Sequence, residues 1–380
     1  MKKIFLIAIA WAAAMSMAAQ PVAACVLDSL KARIAPDRRT AIWEVSATTQ
    51  QGDLVIYGTV GLEEQKQAID QELRSKGITQ FQNNVIVLED EITQEQRWGL
   101  IKLSIATLRC EGRHAAEMAT QGIMGMPVKV IQLAGEWARV QTPDHYISFC
   151  PRSSIAFKSA TQMAAWRGAR RYIVTTYGSQ LVAAPASDET VSDLVLGNIL
   201  EFKGKKGGWL QLITPDGRLG WVEEKDVEEL AKWAQQEFNP GLIEKTARRM
   251  MGSSYLWGGT STKVTDCSGL TKVSYFANGI ILQRDASQQA LTGQKMAGDE
   301  WERCQQGDLL FFGDHATGRV THVGLYLHDG QYIHCSGQVK INSLKKGDAL
   351  YLYDALSASR INGMVGTAGI AWVRAHPWYF

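Results

Sequence analysis

The sequence predicts a multidomain α+β protein. Its 380 residues exceed the length of a single ordinary domain. A segment of short, alternating apolar runs occurs twice in the middle of the chain, which is typical of small β-barrels. Near the C-terminus, a helix-like segment that starts with a cysteine precedes strand-like runs that carry histidines. These features predict two small barrels followed by a mixed helix and sheet domain.

Residues 1–24 have the pattern of an export signal. Lys2 and Lys3 precede an apolar run, and small residues follow that run. The run is too short for a stable membrane anchor. We therefore expect cleavage between residues 18 and 24 and a protein that works in the periplasm or cell envelope. The alternative is a lipid anchor at Cys25, after processing within Val22-Ala-Ala-Cys25.

The segment 25–100 predicts a small α+β unit. Two strand-like runs, a helical run from Glu63 to Lys76 and a third strand-like run give the order β-β-α-β. No group of residues in this unit indicates chemistry. We expect it to pack against the other domains.

An internal repeat predicts barrels at residues 101–156 and 157–230. The sequence Trp137-Ala-Arg-Val-Gln-Thr-Pro-Asp144 recurs as Trp209-Leu-Gln-Leu-Ile-Thr-Pro-Asp216. Glycine, Pro-Asp and Asp-Gly turns divide both copies into short strands. The copies differ in the hairpin that follows, where Tyr146 corresponds to Arg218, so they are not interchangeable.

Residues 231–380 contain the residues that indicate chemistry. Cys267 follows Asp266 and precedes an apolar face with Leu270 and Val273, so its sulfur is expected at the first turn of a helix. Unpaired N–H groups and the helix dipole stabilise an anion there. A thiolate nucleophile is the functional interpretation. The alternative is a small buried cysteine beside a helix cap.

Two of the seven histidines lie in strand-like runs that a turn joins. His322 and His334 flank the turn His328-Asp-Gly330, which predicts adjacent antiparallel strands. A cysteine–imidazole pair needs a third polar group that orients the ring. We therefore assign His322 as the general base and His334 as its orienting partner. Histidines with purely structural contacts are the alternative.

Together these motifs resemble the NlpC-type cell-wall cysteine peptidases, small papain-like enzymes that hydrolyse peptidoglycan stem peptides. The motifs occur in the family's order over about residues 240–350, as Trp257-Gly-Gly259, Asp266-Cys-Ser-Gly269, Gly307-Asp-Leu-Leu-Phe-Phe312, His322-Val-Gly324 and Tyr332-Ile-His334. The resemblance implies the same three catalytic residues, Cys267, His322 and His334. The repeated barrels resemble bacterial SH3 domains, which often accompany cell-wall enzymes.

The resemblance also implies how substrate is bound. In relatives with tandem barrels, the first barrel closes the cleft and an aromatic residue, here Tyr146, reaches the nucleophile. Its hydroxyl is then a second donor to the oxyanion, beside the N–H of Cys267. Trp257 is a cleft wall or a core residue, and Asp266 can also serve only as a helix cap. The other implied substrate contacts are Ser268, Ser287 and Glu117, the last for a free amine.

The implied reaction is hydrolysis of the γ-D-glutamyl–diamino acid bond, with a requirement for a free N-terminal L-alanine. Three alternatives remain: a non-catalytic wall-binding protein, a hydrolase of intact wall with an open cleft, and an acyl transferase. A net charge of +2 gives no basic surface for nucleic acid. No cysteine and histidine spacing is typical of a zinc site, so we expect neither metal nor cofactor.

The sequence leaves several properties open. The diamino acid is meso-diaminopimelate or L-lysine. Cys110 and Cys150 lie in the first and last parts of the same barrel and can pair in an oxidising compartment. Val222 takes the place of Cys150 in the second copy. Cys150 as an apolar core residue is therefore as good an explanation as a disulfide. The oligomeric state is also undetermined.

Overall fold

The computed structural model describes residues 20–380, so most of the predicted export signal lies outside the described residues. Residues 20–34 are helical and form α1. The predicted boundary at residue 24 falls inside this helix, where Ala23 is fully buried and Cys25 is exposed. Within residues 20–380, no helix is both long enough and apolar enough to cross a membrane.

The N-terminal unit has the predicted β-β-α-β order, preceded by α1. Leu27 and Leu30 of α1 share a core with Ile69 and Leu73 of the second helix, since residues three or four apart lie on one helix face. The first two strands are antiparallel, and the third is parallel to the second. The elements are β1 (Trp43–Gln50), β2 (Asp53–Val60), α2 (Glu63–Ser75) and β3 (Gln82–Val87).

Two seven-stranded antiparallel sheets form the middle of the molecule. The first contains β4 (Trp98–Ile101), β5 (Ile105–Arg109), β6 (Met118–Ile123), β7 (Pro127–Ala134), β8 (Trp137–Gln141), β9 (Ile147–Pro151) and β10 (Ile155–Lys158). After α3 (Ala160–Gly168), the second contains β11 (Arg171–Val174), β12 (Gly178–Val182), β13 (Thr190–Val195), β14 (Ile199–Lys206), β15 (Trp209–Ile213), β16 (Leu219–Glu223) and β17 (Val227–Glu229).

The two sheets have the same strand order, which confirms the internal repeat. The orders are β10-β4-β7-β8-β9-β5-β6 and β17-β11-β14-β15-β16-β12-β13. Their sheets span residues 98–158 and 171–229, compared with the predicted ranges 101–156 and 157–230. Cys150 and Val222 are both fully buried, so the cysteine fills the same apolar place as the valine. Cys150 and the exposed Cys110 are both free thiols.

The C-terminal domain packs helices on a six-stranded sheet. Its elements are α4 (Leu230–Trp233), α5 (Pro240–Arg249), α6 (Cys267–Phe276), β18 (Ile280–Leu282), α7 (Ala286–Gln289), β19 (Gln294–Ala297), β20 (Leu309–Asp314), β21 (Arg319–Tyr326), β22 (Gln331–Ser336), β23 (Gln338–Ser343), β24 (Ser357–Arg360) and β25 (Ile370–Trp372). The sheet order is β19-β24-β20-β21-β22-β23, and α6 packs against β21 and β22. The predicted multidomain α+β class is confirmed.

Candidate active site

Cys267 is the first residue of α6, as the sequence predicts. Asp266 is the N-cap, and its Oδ1 accepts a hydrogen bond from the N–H of Gly269 at 2.7 Å. Its Oδ2 accepts from the N–H of Gly258 at 2.9 Å. A Cβ atom at Gly269 would lie 1.9 Å from the carbonyl oxygen of Gly259. The two glycine-containing motifs are therefore one packed turn that holds the nucleophile.

The histidines form a relay on adjacent antiparallel strands. Nε2 of His322 lies 2.7 Å from Nδ1 of His334, and Nε2 of His334 lies 2.9 Å from Oδ1 of Asn342. Nδ2 of Asn342 donates to the carbonyl of Leu350 at 2.7 Å, which directs its Oδ1 toward His334. His334 therefore carries its proton on Nε2 and accepts at Nδ1. His322 donates from Nε2, and its Nδ1 remains free to accept a proton.

Sequence reasoning missed Asn342, which ends this relay. It lies on β23, opposite Tyr332 of the strand that bears His334. The sequence did contain one signal for Asn342, which is a third run of alternating apolar residues directly after His334. Only the sheet register shows that this amide faces the imidazole.

The sulfur of Cys267 lies against the strand that bears His322. The backbone N–H groups of Val323, the residue after His322, and of Ser268 hydrogen-bond the sulfur and lower its pKa. Burial and the charge of Asp266 have the larger, opposite effect and raise the pKa of Cys267 to about 11. The thiol is therefore protonated at neutral pH in the free protein.

The imidazoles are also neutral in the free protein. Burial lowers the pKa of His322 to about 3, with a further contribution from the charge of His334. Burial likewise lowers the pKa of His334 to about 4. A resting thiolate stays a prediction, and burial opposes it more strongly in the free site than the helix-terminal N–H groups favour it. The arrangement instead provides a neutral base that takes the proton when the sulfur reacts.

Asp266 and Ser268 make contacts within the protein. Arg284, with 1% of its surface exposed, donates to Oδ2 of Asp266 at 2.5 Å and to Oγ of Ser268 at 2.9 Å. Its Nε donates to Oγ1 of Thr120 in the first barrel at 3.0 Å. These contacts support the capping interpretation of Asp266. Direct substrate contact by Asp266 or Ser268 stays a prediction that the geometry does not favour.

The first barrel docks beside the nucleophile helix. Oε1 of Gln121 accepts from the N–H of Thr260 at 2.8 Å, next to the Gly258-Gly259 turn. Nζ of Lys272, on α6, donates to Oδ2 of Asp144 at 2.7 Å, and both side chains are largely buried. The hairpin that follows Asp144 is thereby held against the catalytic domain.

Tyr146 reaches the cleft, but its hydroxyl has a different partner from the one expected. The hydroxyl donates to Oδ2 of Asp285 at 3.2 Å, so it is not a free donor for an oxyanion. Tyr255 lies near enough to the nucleophile for the two groups to interact electrostatically. Burial, and next the charge of Cys267, raise the pKa of Tyr255 above its ordinary value. Tyr255 is therefore the better candidate for a second oxyanion donor, and sequence reasoning had assigned it no role.

Ser287 and Glu117 lie at the same end of the cleft as Asp285. Oγ of Ser287 accepts from Nη1 of Arg39, which also donates to Asp285. Glu117 is exposed, and its charge raises the pKa of the Cys110 thiol, after the larger effect of burial and before that of Asp285. Contact of Glu117 with a substrate amine stays a prediction. Sequence reasoning missed Asp285 and Arg39.

Trp257 has 60% of its surface exposed, which excludes the core interpretation. It directly precedes Gly258, whose N–H donates to Oδ2 of Asp266. A role as a cleft wall stays a prediction. An exposed indole at this position is available for contact with a ligand.

Comparison with known proteins agrees with this architecture. The NlpC/P60 family matches residues 252–355, and the bacterial dipeptidyl-peptidase SH3 domain matches residues 108–155. The chain is 29% identical over 263 residues to a dipeptidyl-peptidase 6 from Lysinibacillus sphaericus, covering 66% of this chain and 93% of that protein. It is 28% identical over 235 residues to a gamma-D-glutamyl-L-lysine dipeptidyl-peptidase from Bacillus cereus, covering 58% and 68%.

A solved structure shows the same fold. An NlpC/P60 family protein from Bacillus cereus aligns with a TM-score of 0.61 and 21% identity, over 69% of this chain and 99% of that one. The two family matches cover the nucleophile, both relay histidines and the hairpin that bears Tyr146. This chain therefore carries an NlpC/P60 domain of papain-like fold, preceded by a barrel of the bacterial dipeptidyl-peptidase SH3 type.

Proposed function

We propose that this protein is a cysteine peptidase that hydrolyses the γ-D-glutamyl–diamino acid bond of peptidoglycan stem peptides. The observation that carries the proposal is the placement of Cys267 at a helix start, beside a relay from His322 through His334 to Asn342. A relay of this kind supplies a nucleophile, a base and an orienting group. The name of the Bacillus cereus relative supports the choice of bond.

The reaction follows from the protonation states of the site. As the sulfur of Cys267 attacks the carbonyl carbon, its proton passes to Nδ1 of His322. The same proton then goes to the leaving amine when the C–N bond breaks, which leaves a thioester. A water molecule that His322 deprotonates attacks the thioester and restores the thiol. The N–H of Cys267 and the hydroxyl of Tyr255 stabilise the oxyanion in both steps.

One end of the cleft is formed by Asp285, Tyr146 and Arg39, and we call it the closed end. This end supports selectivity for a free N-terminus. Asp285 is only partly buried, whereas Asp266 is engaged with Arg284 and the helix cap. Asp285 is therefore the available carboxylate for an ammonium group, and Tyr146 lies beside it. The amine of L-alanine pairs with Asp285, and the exposed Glu117 adds negative charge nearby. The proposed substrates are released stem peptides, because the L-alanine of a glycan-linked peptide has no free amine.

One experiment tests both the bond and the selectivity. Purified protein is incubated with L-Ala-γ-D-Glu-diamino acid peptide, with its N-acetyl form and with intact sacculi, and products are identified by mass spectrometry. We expect L-Ala-D-Glu from the free peptide and much slower turnover of the other two. Equal rates on all three would reject the selectivity, and full activity of Cys267→Ala would reject the mechanism. Peptides with meso-diaminopimelate and L-lysine identify the diamino acid.

As part of this proposal, the chain is exported to the periplasm or cell envelope. Ala23 packs in the core of the N-terminal unit, so processing directly before Cys25 would remove a buried side chain. This disfavours a lipid anchor at Cys25 and favours cleavage near residues 18–20. N-terminal sequencing of the protein from fractionated cells tests the proposal. A full-length protein in the cytoplasmic fraction would reject it.

A further inference from the structure

A short segment of the N-terminal unit reaches the closed end of the cleft. Its backbone is held by the first barrel, because the N–H of Ile147 donates to the carbonyl of Arg39 at 2.7 Å. The amide of Gln141 donates to the carbonyl of Thr40 at 3.2 Å. Since Ile147 follows Tyr146, this pairing sets Arg39 beside the tyrosine. The N-terminal unit thus lies at the cleft and is more than a packing domain.

The guanidinium of Arg39 bridges two carboxylates from different domains. Nε and Nη2 donate to both oxygens of Asp37, at 2.7 to 3.0 Å. Nη1 donates to Oδ2 of Asp285 at 2.7 Å and to Oγ of Ser287 at 3.0 Å. On the other side, the amide of Gln288 donates to Oδ2 of Asp37 at 2.8 Å. Three side chains at the start of α7 therefore hydrogen-bond the N-terminal unit, namely Asp285, Ser287 and Gln288.

This arrangement orients the carboxylate of Asp285 and leaves one of its two oxygens available to a ligand. Oδ2 accepts from both Arg39 and Tyr146, whereas Oδ1 accepts no hydrogen bond from residues 20–380. Two carboxylates and one guanidinium leave a net charge of −1 on the cluster of Asp37, Arg39 and Asp285. An ammonium group at Oδ1 thus meets a fixed acceptor with net negative charge around it.

We propose that Arg39 is a positioning residue through which the N-terminal unit orients Asp285 toward the amino end of the substrate. This inference rests on the proposed function, since it assigns the substrate's amine to Asp285. Arg39 itself does not contact the reacting atoms. A guanidinium suits this position because its planar fork spans two carboxylates, which a lysine ammonium does not.

The test compares Arg39→Met with the wild-type protein on the free and the N-acetylated peptide. We expect the KM for the free peptide to rise about tenfold, with kcat within about twofold, since one charge-assisted hydrogen bond to Asp285 is lost. The kcat/KM for the acetylated peptide stays unchanged, because this peptide has no N-terminal ammonium for Asp285 to bind. Arg39→Lys gives an intermediate KM.

The matched control is Arg33→Met, which removes an exposed arginine of the same unit that pairs with Glu72. It should leave both peptides unaffected, and thermal unfolding verifies that all variants are folded. Equal losses on both peptides in Arg39→Met would overturn the proposal in favour of a general structural role. A lower KM for the free peptide would also overturn it, because Arg39 would then compete with the amine. Wild-type protein that does not prefer the free peptide would reject the proposed function itself.

Discussion

At the scale of single residues, protonation is decided by burial and by hydrogen-bond partners. A helix start favours a thiolate, yet the apolar surroundings of Cys267 have the larger effect and keep the thiol protonated. The same surroundings keep His322 neutral and able to accept a proton. Asn342 then selects which nitrogen of each ring carries the hydrogen. Reactivity therefore depends on residues that never touch the substrate.

Because Asn342 sets the tautomer of His334, its replacement should change the rate of the reaction. Asn342→Leu removes the acceptor of His334, so His322 loses its fixed tautomer and kcat should fall about tenfold to hundredfold, part of the usual contribution of general base catalysis. KM should stay unchanged. Asn342→Asp is the control, because a carboxylate also accepts from Nε2 and should retain most of kcat. Wild-type kcat in the leucine variant would refute this role.

The resting thiol predicts the pH dependence of alkylation. Because the pKa of Cys267 is raised, its reaction with iodoacetamide should accelerate only as pH rises above the pKa of a free cysteine, about 8.5. The modified Cys267 peptide is quantified by mass spectrometry, with a short cysteine peptide as the reference. A midpoint below pH 7 would instead indicate a thiolate paired with an imidazolium.

At the scale of elements, close backbone packing holds the nucleophile in place. The start of α6 lies so close to the Gly258-Gly259 turn that position 269 has no room for a side chain. Asp266 then joins the two segments with one oxygen on each. The spacing of these contacts along α6 and the turn is a packing requirement, and the proposed catalysis depends on it indirectly.

Gly269→Ala tests this packing requirement. Its Cβ would meet the carbonyl of Gly259, so the turn and the helix must separate, which should cost about 1–3 kcal/mol of unfolding free energy. Activity should fall as well. Gly168→Ala, at the end of α3, is the matched control because no atom lies within 4 Å of its Cβ. Thermal unfolding measures both variants, and equal midpoints would contradict the argument.

At the scale of the whole molecule, the cleft is assembled from three domains. The first barrel contributes Tyr146, the N-terminal unit contributes Arg39, and the C-terminal domain contributes Asp285. The second barrel has Arg218 where the first has Tyr146, and Arg218 donates to the carbonyl of Lys102 between the barrels. One position of the repeat thus serves the cleft in one copy and barrel contact in the other.

Lys272→Met tests the docking of the first barrel. Since it leaves the buried carboxylate of Asp144 unpaired, it should lower the unfolding free energy by about 3–5 kcal/mol. Lys205→Met, which breaks an exposed pair with Glu224, is the control and should have little effect. Denaturant unfolding compares them. A small effect of Lys272→Met would show that the barrel docks without this pair.

The sequence by itself predicted the local elements and the candidate catalytic residues. The period of Leu270 and Val273 placed the helix, and the Asp-Gly turn placed the two histidine strands, because both signals act over a few residues. The internal repeat likewise determined the two barrels. The resemblance of the motifs then supplied the family and the expectation that Tyr146 reaches the cleft, but not its partner Asp285.

Only the tertiary structure decided the environment of these residues. Arg284, Asn342 and Arg39 reach the site from segments that no local pattern connects to it. Burial, which sets the pKa of Cys267 and His322, is a property of the packed domains. The cap formed by Asp266 was one of two predicted roles, and only the structure shows that Arg284 also engages it. Arg284 and Asn342 meet the site when the C-terminal domain folds, whereas Arg39 meets it only when the domains dock, and so their chemistry is a property of the whole fold.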